Sequence, residues 1–266
     1  MTSTPAPIEI RELTKRYGRR SAVDRLELTM GPGAIHCMLG RNGAGKSTTL
    51  ETIMGLRNPT SGDVRIEGVS VRSPEIHTVR QGIGYLPEDP VLYDELTARE
   101  FLQFIAELHR SEIDCRPRID ALLGHLGMSA DSDLPLRSCS RGMKKRVAFI
   151  AAVLPDPRIL ILDEPTAALD AASARTVKEL MLELRNSGRL VLFTTHVMPL
   201  AEELADRLAI LHAGRLVFEG TLSQLRSRHS SGVRESLEDL FLRLTSNADP
   251  PGSKDSGEVR DDVLKR

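Results

Sequence analysis

The chain has 266 residues, a formal net charge of −1, 27% charged and 40% apolar residues. That is the size of one large domain, or a domain with a small subdomain, with no surplus charge to draw it to nucleic acid or an anionic membrane. No apolar run approaches the ~20 residues of a membrane span, residues 1–7 lack the features of a signal peptide, and Cys37, Cys115 and Cys139 have neither metal spacing nor the even number of a disulfide framework.

Ile8–Leu13 and Leu26–Met30 alternate apolar and polar residues, which predicts strands with one wet face, as in an antiparallel sheet. After the turn Gly31-Pro32-Gly33, Ala34–Leu39 is an apolar run of strand length. It leads into Gly40-Arg41-Asn42-Gly43-Ala44-Gly45-Lys46-Ser47-Thr48, which matches the phosphate-cradling P-loop, glycine, four residues, then Gly-Lys-Ser/Thr. A helix is expected over 48–55. Glycines between a buried strand and a helix let the backbone approach a polyphosphate and point N–H groups at it. Lys46 is expected to reach the β- and γ-phosphates and the Ser47 hydroxyl to ligate Mg²⁺.

Val64–Ile66 is a further short strand. Residues 97–126 take a helical pattern, with Phe101, Leu102, Ile105 and Leu108 on one face and Ile119, Leu122, Leu123 and Leu126 on another. Arg141–Leu154 is an amphipathic helix. Ile159–Leu162 and Leu190–Phe193 are continuous apolar runs, the signature of parallel strands buried on both faces, with a helix between them at Ala171–Arg185. Leu208–Leu211 and Arg215–Phe218 flank Ala213-Gly214 as a hairpin, and a last helix is expected over 236–244. Residues 247–266, with two prolines, two glycines and nine charged residues, read as a disordered tail. No internal repeat is visible.

Polar residues just after buried strands sit at the carboxyl edge of the sheet, where ligands bind in such folds. Asp163 and Glu164 end one apolar run, and two carboxylates suit two tasks in phosphoryl transfer: holding Mg²⁺, and accepting the proton of an attacking water. His196 ends the next run. With no second His or Cys nearby it is expected to orient a hydrogen bond at the γ-phosphate rather than bind metal.

These motifs, in this order, make residues 8–244 resemble the ATP-binding subunit of an ABC transporter. The resemblance implies an α/β fold: a P-loop NTPase core with a mostly parallel sheet, an N-terminal antiparallel β subdomain and an inserted α-helical subdomain. It implies a flexible stretch 1–7, an ATPase domain 8–246 with its helical part at about 88–155, and the tail 247–266. Tyr17 lies where the family's aromatic residue stacks on adenine. Gly40, Arg41, Asn42, Gly43, Ala44, Gly45, Lys46, Ser47 and Thr48 form its Walker A loop. Residues 83–88 correspond to the Q-loop, 139–143 to the signature motif, 159–164 to Walker B, 168–170 to the D-loop, and His196 to the H-loop switch. By the resemblance Glu164 is the catalytic base and Asp163 the magnesium residue. Ser140 and Gly142 complete the ATP site of a second subunit.

Three places depart from the family pattern. Glu88 stands where a Gln contacts Mg²⁺ and senses the membrane partner; Cys139 replaces Leu; Arg141 and Met143 replace Gly and Gln. Leu86-Pro87-Glu88, Ser140-Arg141-Gly142-Met143 and Leu237–Leu242 resemble bacterial subunits that power drug, antibiotic or sodium export through a separate membrane protein. The implied partners are therefore a second ATPase subunit, most simply a homodimer, and an integral membrane permease, with no nucleic acid. The implied location is cytoplasmic, on the inner face of the cell membrane. The alternatives are a cassette that regulates a membrane sensor or protease, and a soluble ATPase of the same family acting on ribosomes or DNA. The latter fits poorly with a single cassette, no heptads and no basic surplus. A GTPase or small-molecule kinase leaves the signature and His196 unexplained.

Overall fold

The long apolar runs of this chain need cover on both faces, and the fold supplies it. The computed structural model describes residues 7–109, 115–229 and 235–248. In order these form β1 (Ile8–Tyr17), β2 (Arg20–Met30), β3 (Ala34–Leu39), α1 (Lys46–Ile53), β4 (Ser61–Ile66), β5 (Val69–Ser70), α2 (Ile76–Arg80) and β6 (Ile83–Leu86). Then follow α3 (Ala98–Leu108), α4 (Arg116–His125), α5 (Arg141–Val153), β7 (Ile159–Asp163), α6 (Ala171–Asn186), β8 (Leu190–Thr195) and α7 (Met198–Leu204). The chain continues through β9 (Arg207–His212), β10 (Arg215–Gly220), α8 (Leu222–His229) and α9 (Leu237–Ala248).

The strands make two sheets. One is antiparallel, in the order β2-β1-β4-β5; the other runs β10-β9-β3-β8-β7-β6 and is parallel except for the β9–β10 hairpin. Side chains of the parallel strands alternate between two cores. Ile35, Cys37, Leu160, Leu162, Val191 and Phe193 pack with α3, α4 and α5 residues such as Phe101, Leu123 and Phe149. Met38, Ile159, Ile161, Leu190 and Leu192 pack with α1 and the antiparallel sheet through Leu50, Ile53, Ile8 and Met30. Each strand therefore serves two apolar faces, which is why its sequence reads as an unbroken apolar run rather than an alternation.

Several elements differ from the sequence reading. β1 runs on to Tyr17, past Leu13, because register shifts between Ile10 and Arg16 break its alternation. Residues 83–86, read only as part of a loop motif, form the edge strand β6; Gly84 and Tyr85 hide its apolar pattern. The helical stretch 97–126 is two helices, the first opened by a capping box between Thr97 and Glu100. α9 extends to Ala248, so Asn247 and Ala248 belong to a helix and not to the tail; the remainder of the expected tail, and residues 1–6, lie outside the described residues. None of the three cysteines is in a disulfide, and burial pushes the Cys37 thiol well up, so it is neutral.

His36 on β3 is 6% exposed, with Nε2 3.1 Å from the Gly31 carbonyl. Burial lowers its pKa below 6.5; Arg207 adds to this, and the Gly31 bond and Asp206 oppose it. An unfolded chain therefore binds a proton there at a higher pH than the folded one, and stability falls as pH drops below about 6.5. His36→Gln, which keeps a donor for Gly31, is expected to flatten the fall of Tm between about pH 7 and 5. Thermal unfolding by circular dichroism checks this; an unchanged slope would place the acid sensitivity elsewhere.

Candidate functional site

The loop between β3 and α1 is built to leave a helix N-terminus uncapped. Gly45, at the N-cap of α1, has φ +104°, and no side chain caps the helix. A Cβ at Gly45 would lie 2.5 Å from the Ala22 carbonyl oxygen, so only glycine lets the loop lie this close to β2. The first N–H groups of α1 are thus available to an anion. Lys46 is buried, its Nζ donating to the Gly40 carbonyl at 2.7 Å and lying 3.7 Å from the Glu164 carboxylate.

β7 and β8 are neighbours in the sheet, which brings their polar ends together. Thr194 Oγ1 donates to Asp163 Oδ1 in a short bond and accepts from the Glu164 N–H at 3.2 Å. Thr195 Oγ1 donates to Glu164 Oε2 at 3.2 Å. His196 Nδ1 lies 2.8 Å from Glu164 Oε1, a contact in which Nδ1–H donates when the carboxylate is ionised. Glu164 is 6% exposed and has φ +47°. A left-handed backbone at a non-glycine residue costs about 1–3 kcal/mol; here it turns the chain at the end of β7 with the carboxylate held between Lys46, Thr195 and His196. The sequence reading assigned no part to Thr194 and Thr195, although their place at a strand end was the available signal.

A cavity of about 500 Å³ opens above this cluster, lined by Tyr17, Arg20, Ala22, residues 42–48, Glu88 and Glu164. Tyr17 pairs with Arg20 across a two-residue hairpin loop, so an aromatic ring and a guanidinium border the cavity together. Lys15 Nζ and the Arg57 guanidinium lie 5.2 and 5.9 Å from the Tyr17 ring centre. The sequence reading missed Arg20, since one arginine in an arginine-rich hairpin carries no local mark. A flat ring, a guanidinium, uncapped N–H groups and a lysine beside a carboxylate make a receptor for a nucleoside polyphosphate. Gly40, Arg41, Asp163 and His196 adjoin the cavity without lining it.

Ser140 and Gly142 are not among its walls. Ser140 caps α5, accepting from the Met143 N–H at 3.2 Å, and is exposed. A Cβ at Gly142 would meet the Ala168 carbonyl oxygen at 2.7 Å, so this glycine serves a close approach within the chain. Arg141 pairs with Asp89 at 2.5 Å, Lys144 with Asp94 at 2.7 Å, and Arg137 with Glu95. Lys145, missed in the sequence, is buried, and its Nζ donates to the carbonyls of Glu88 (2.7 Å), Pro87 (3.0 Å) and Asp163 (3.2 Å). Burial lowers its pKa to about 8 against the pull of nearby acids. Beside this helix lies an apolar groove of about 240 Å³ lined by Pro90, Val91, Leu92, Phe101, Ile105 and Ala148 among others, with Val91 95% exposed.

A family model described as ABC transporter matches residues 23–167. The chain is 35% identical to the ABC-type transporter ATP-binding protein EcsA of Bacillus subtilis (strain 168), over 90% of this chain and 96% of that one. It is 38% identical to the Nod factor export ATP-binding protein I of Rhizobium meliloti, over 80% of this chain and 64% of that one, so it spans just under two thirds of that relative. A solved ATP binding subunit of an ABC transporter superposes with a TM-score of 0.83 at 32% identity, covering 90% of this chain and all of the other.

Proposed function

The chain belongs to the ABC transporter family, as an ATP-binding subunit that hydrolyses ATP, and we propose that two copies close on two ATP molecules to drive export through a separate permease. The observation that carries the hydrolytic reading is Glu164, buried beneath the cavity and held by Lys46, Thr195 and His196. In this reading Glu164 accepts a proton from a water attacking the γ-phosphorus, the bond from that phosphorus to the β-phosphate oxygen breaks, and ADP and phosphate result. His196 orients the carboxylate through Nδ1–H. Lys46 exchanges Glu164 for phosphate oxygens when ATP binds. The Tyr17 ring stacks on the base, and the Arg20 guanidinium faces the nucleotide from the same side of the cavity.

Mg²⁺ fits the donor set. Ser47, Asp163 and Glu88 offer the hard oxygen atoms that such a cation takes beside phosphates. When bound it neutralises phosphate charge. Ser140 stands outside the cavity, as a group acting on the site of a second copy must. No helix among the described residues is long and apolar enough to cross a membrane. In this reading the chain meets the permease on its cytoplasmic face. The apolar groove beside Glu88 suits a short apolar segment of that permease. Outward direction rests on the likeness to an export protein.

The test is a pull-down from membranes of the encoding organism, followed by ATPase assays with and without what is captured. A multi-span membrane protein that raises the rate several-fold, and loses that effect with Val91→Glu, is the expected result. ATP hydrolysis that no captured membrane protein alters would leave the ATPase standing and remove transport.

A further inference from the structure

Lys145 is 2% exposed, yet its ammonium is in ion-pair contact with no carboxylate among the described residues. Its three N–H groups go to three main-chain carbonyls on two separate segments: Pro87 and Glu88, just after β6, and Asp163, at the end of β7. Among the described residues no other donor reaches the carbonyls of Pro87 or Glu88. A buried lysine is costly unless every donor is satisfied, and a Met or Leu would fill this face of α5 at lower cost. What an apolar residue cannot do is hold three carbonyls from two segments around one point.

The segments matter because of what they carry. Glu88 lines the nucleotide cavity and follows Pro87, which lines the apolar groove; Asp163 ends the strand beside Glu164; and Lys145 lies on the helix that Ser140 opens. Apolar residues such as Val147 and Phe149 hold α5 on the sheet, but its other polar links to the loop after β6, such as Arg141 to Asp89, are exposed ion pairs.

We propose that Lys145 is a positioning residue that locks the helix presenting Ser140 to the segments carrying Glu88 and Asp163, so that filling a copy's own nucleotide site sets how that copy aligns Ser140 on the other's. This rests on the paired-subunit reading above. Lys145 does not touch the nucleotide cavity, so its loss acts on the second site and not on binding in the first. The two ATP sites of a pair then communicate through two copies of this ammonium, and a permease that moves the loop at Glu88 acts through it as well.

The test uses the full chain in its ATP-driven pair and compares Lys145→Met with Lys145→Gln, whose amide keeps two donors. Expected for Lys145→Met is ATP affinity of the single subunit within about 3-fold of the parent, kcat lowered about 10-fold or more, and a Hill coefficient for ATP falling to about 1, the value of independent sites. Lys145→Gln is expected to recover part of both. Rates are taken per folded molecule, from the unfolding curve, so a loss of stability alone moves neither quantity. If the Met variant does not fold, the Gln variant is read against the parent by the same measures. A variant with parental kcat and Hill coefficient overturns the proposal and leaves Lys145 a core residue. A parent chain that neither pairs on ATP nor hydrolyses it would instead overturn the paired-subunit reading.

Discussion

Glu164→Gln is expected to lower ATP turnover about 10²–10³-fold while leaving ATP affinity unchanged or raised. General-base catalysis contributes on the order of 10²–10⁴-fold, and the amide retains the shape of the carboxylate, its oxygen accepting from His196 and its NH2 donating to a rotated Thr195 hydroxyl, without accepting the water's proton. Removing a negative charge 3.7 Å from Lys46, in a cavity meant for a polyphosphate, lowers repulsion and frees Lys46. Binding therefore strengthens or holds while chemistry stops, the pattern of a group needed only in the transition state. The variant should accumulate as an ATP-bound pair, visible by light scattering with ATP and Mg²⁺. Turnover within a factor of about ten of the parent would remove Glu164 as the base and move attention to His196.

Lys46→Ala is expected to raise the ATP Kd about 100-fold or more. Charge-assisted bonds contribute about 1.5–3 kcal/mol each, and about 2.8 kcal/mol is a factor of 100. A second effect follows from burial. Lys46 and Glu164 are both 6% exposed, and stripping one partner from a buried pair leaves a charge that costs on the order of 3–5 kcal/mol. Lys46→Ala should thus unfold at lower temperature, and adding Glu164→Gln should restore much of that stability without restoring binding. Calorimetry of ATP binding and thermal unfolding of the four proteins in the cycle separate the two effects. A Kd within about 3-fold of the parent would mean that α1 and its loop hold the phosphates without the lysine.

The parts legible in the sequence were those whose chemistry is local. A P-loop announces itself because three glycines and a lysine must follow a strand within seven residues to fold around phosphates. Asp163 and Glu164 stood out because a buried strand puts whatever follows it at the sheet edge. Lys145 and Arg20 carried no such mark: each is one basic residue among several on an amphipathic helix or an exposed hairpin, and only burial or a shared cavity singles them out. β6 escaped notice because Gly84 and Tyr85 interrupt its apolar run, while its parallel pairing with β7 involves residues more than seventy positions away.

The sequence by itself determined that a nucleotide binds on a strand–loop–helix turn and that two acids and a histidine stand at the ends of two buried strands, because backbone geometry and side-chain period act over a few residues. Only the tertiary structure decided that β8 lies between β3 and β7, which brings Lys46, Glu164 and His196 within bonding distance, and that Gly142 faces the Ala168 carbonyl. It also decided that one ammonium on α5 joins the two segments that carry Glu88 and Asp163. Those contacts depend on strand order and on which buried groups lack a partner, and both are settled when the two cores close over the parallel sheet.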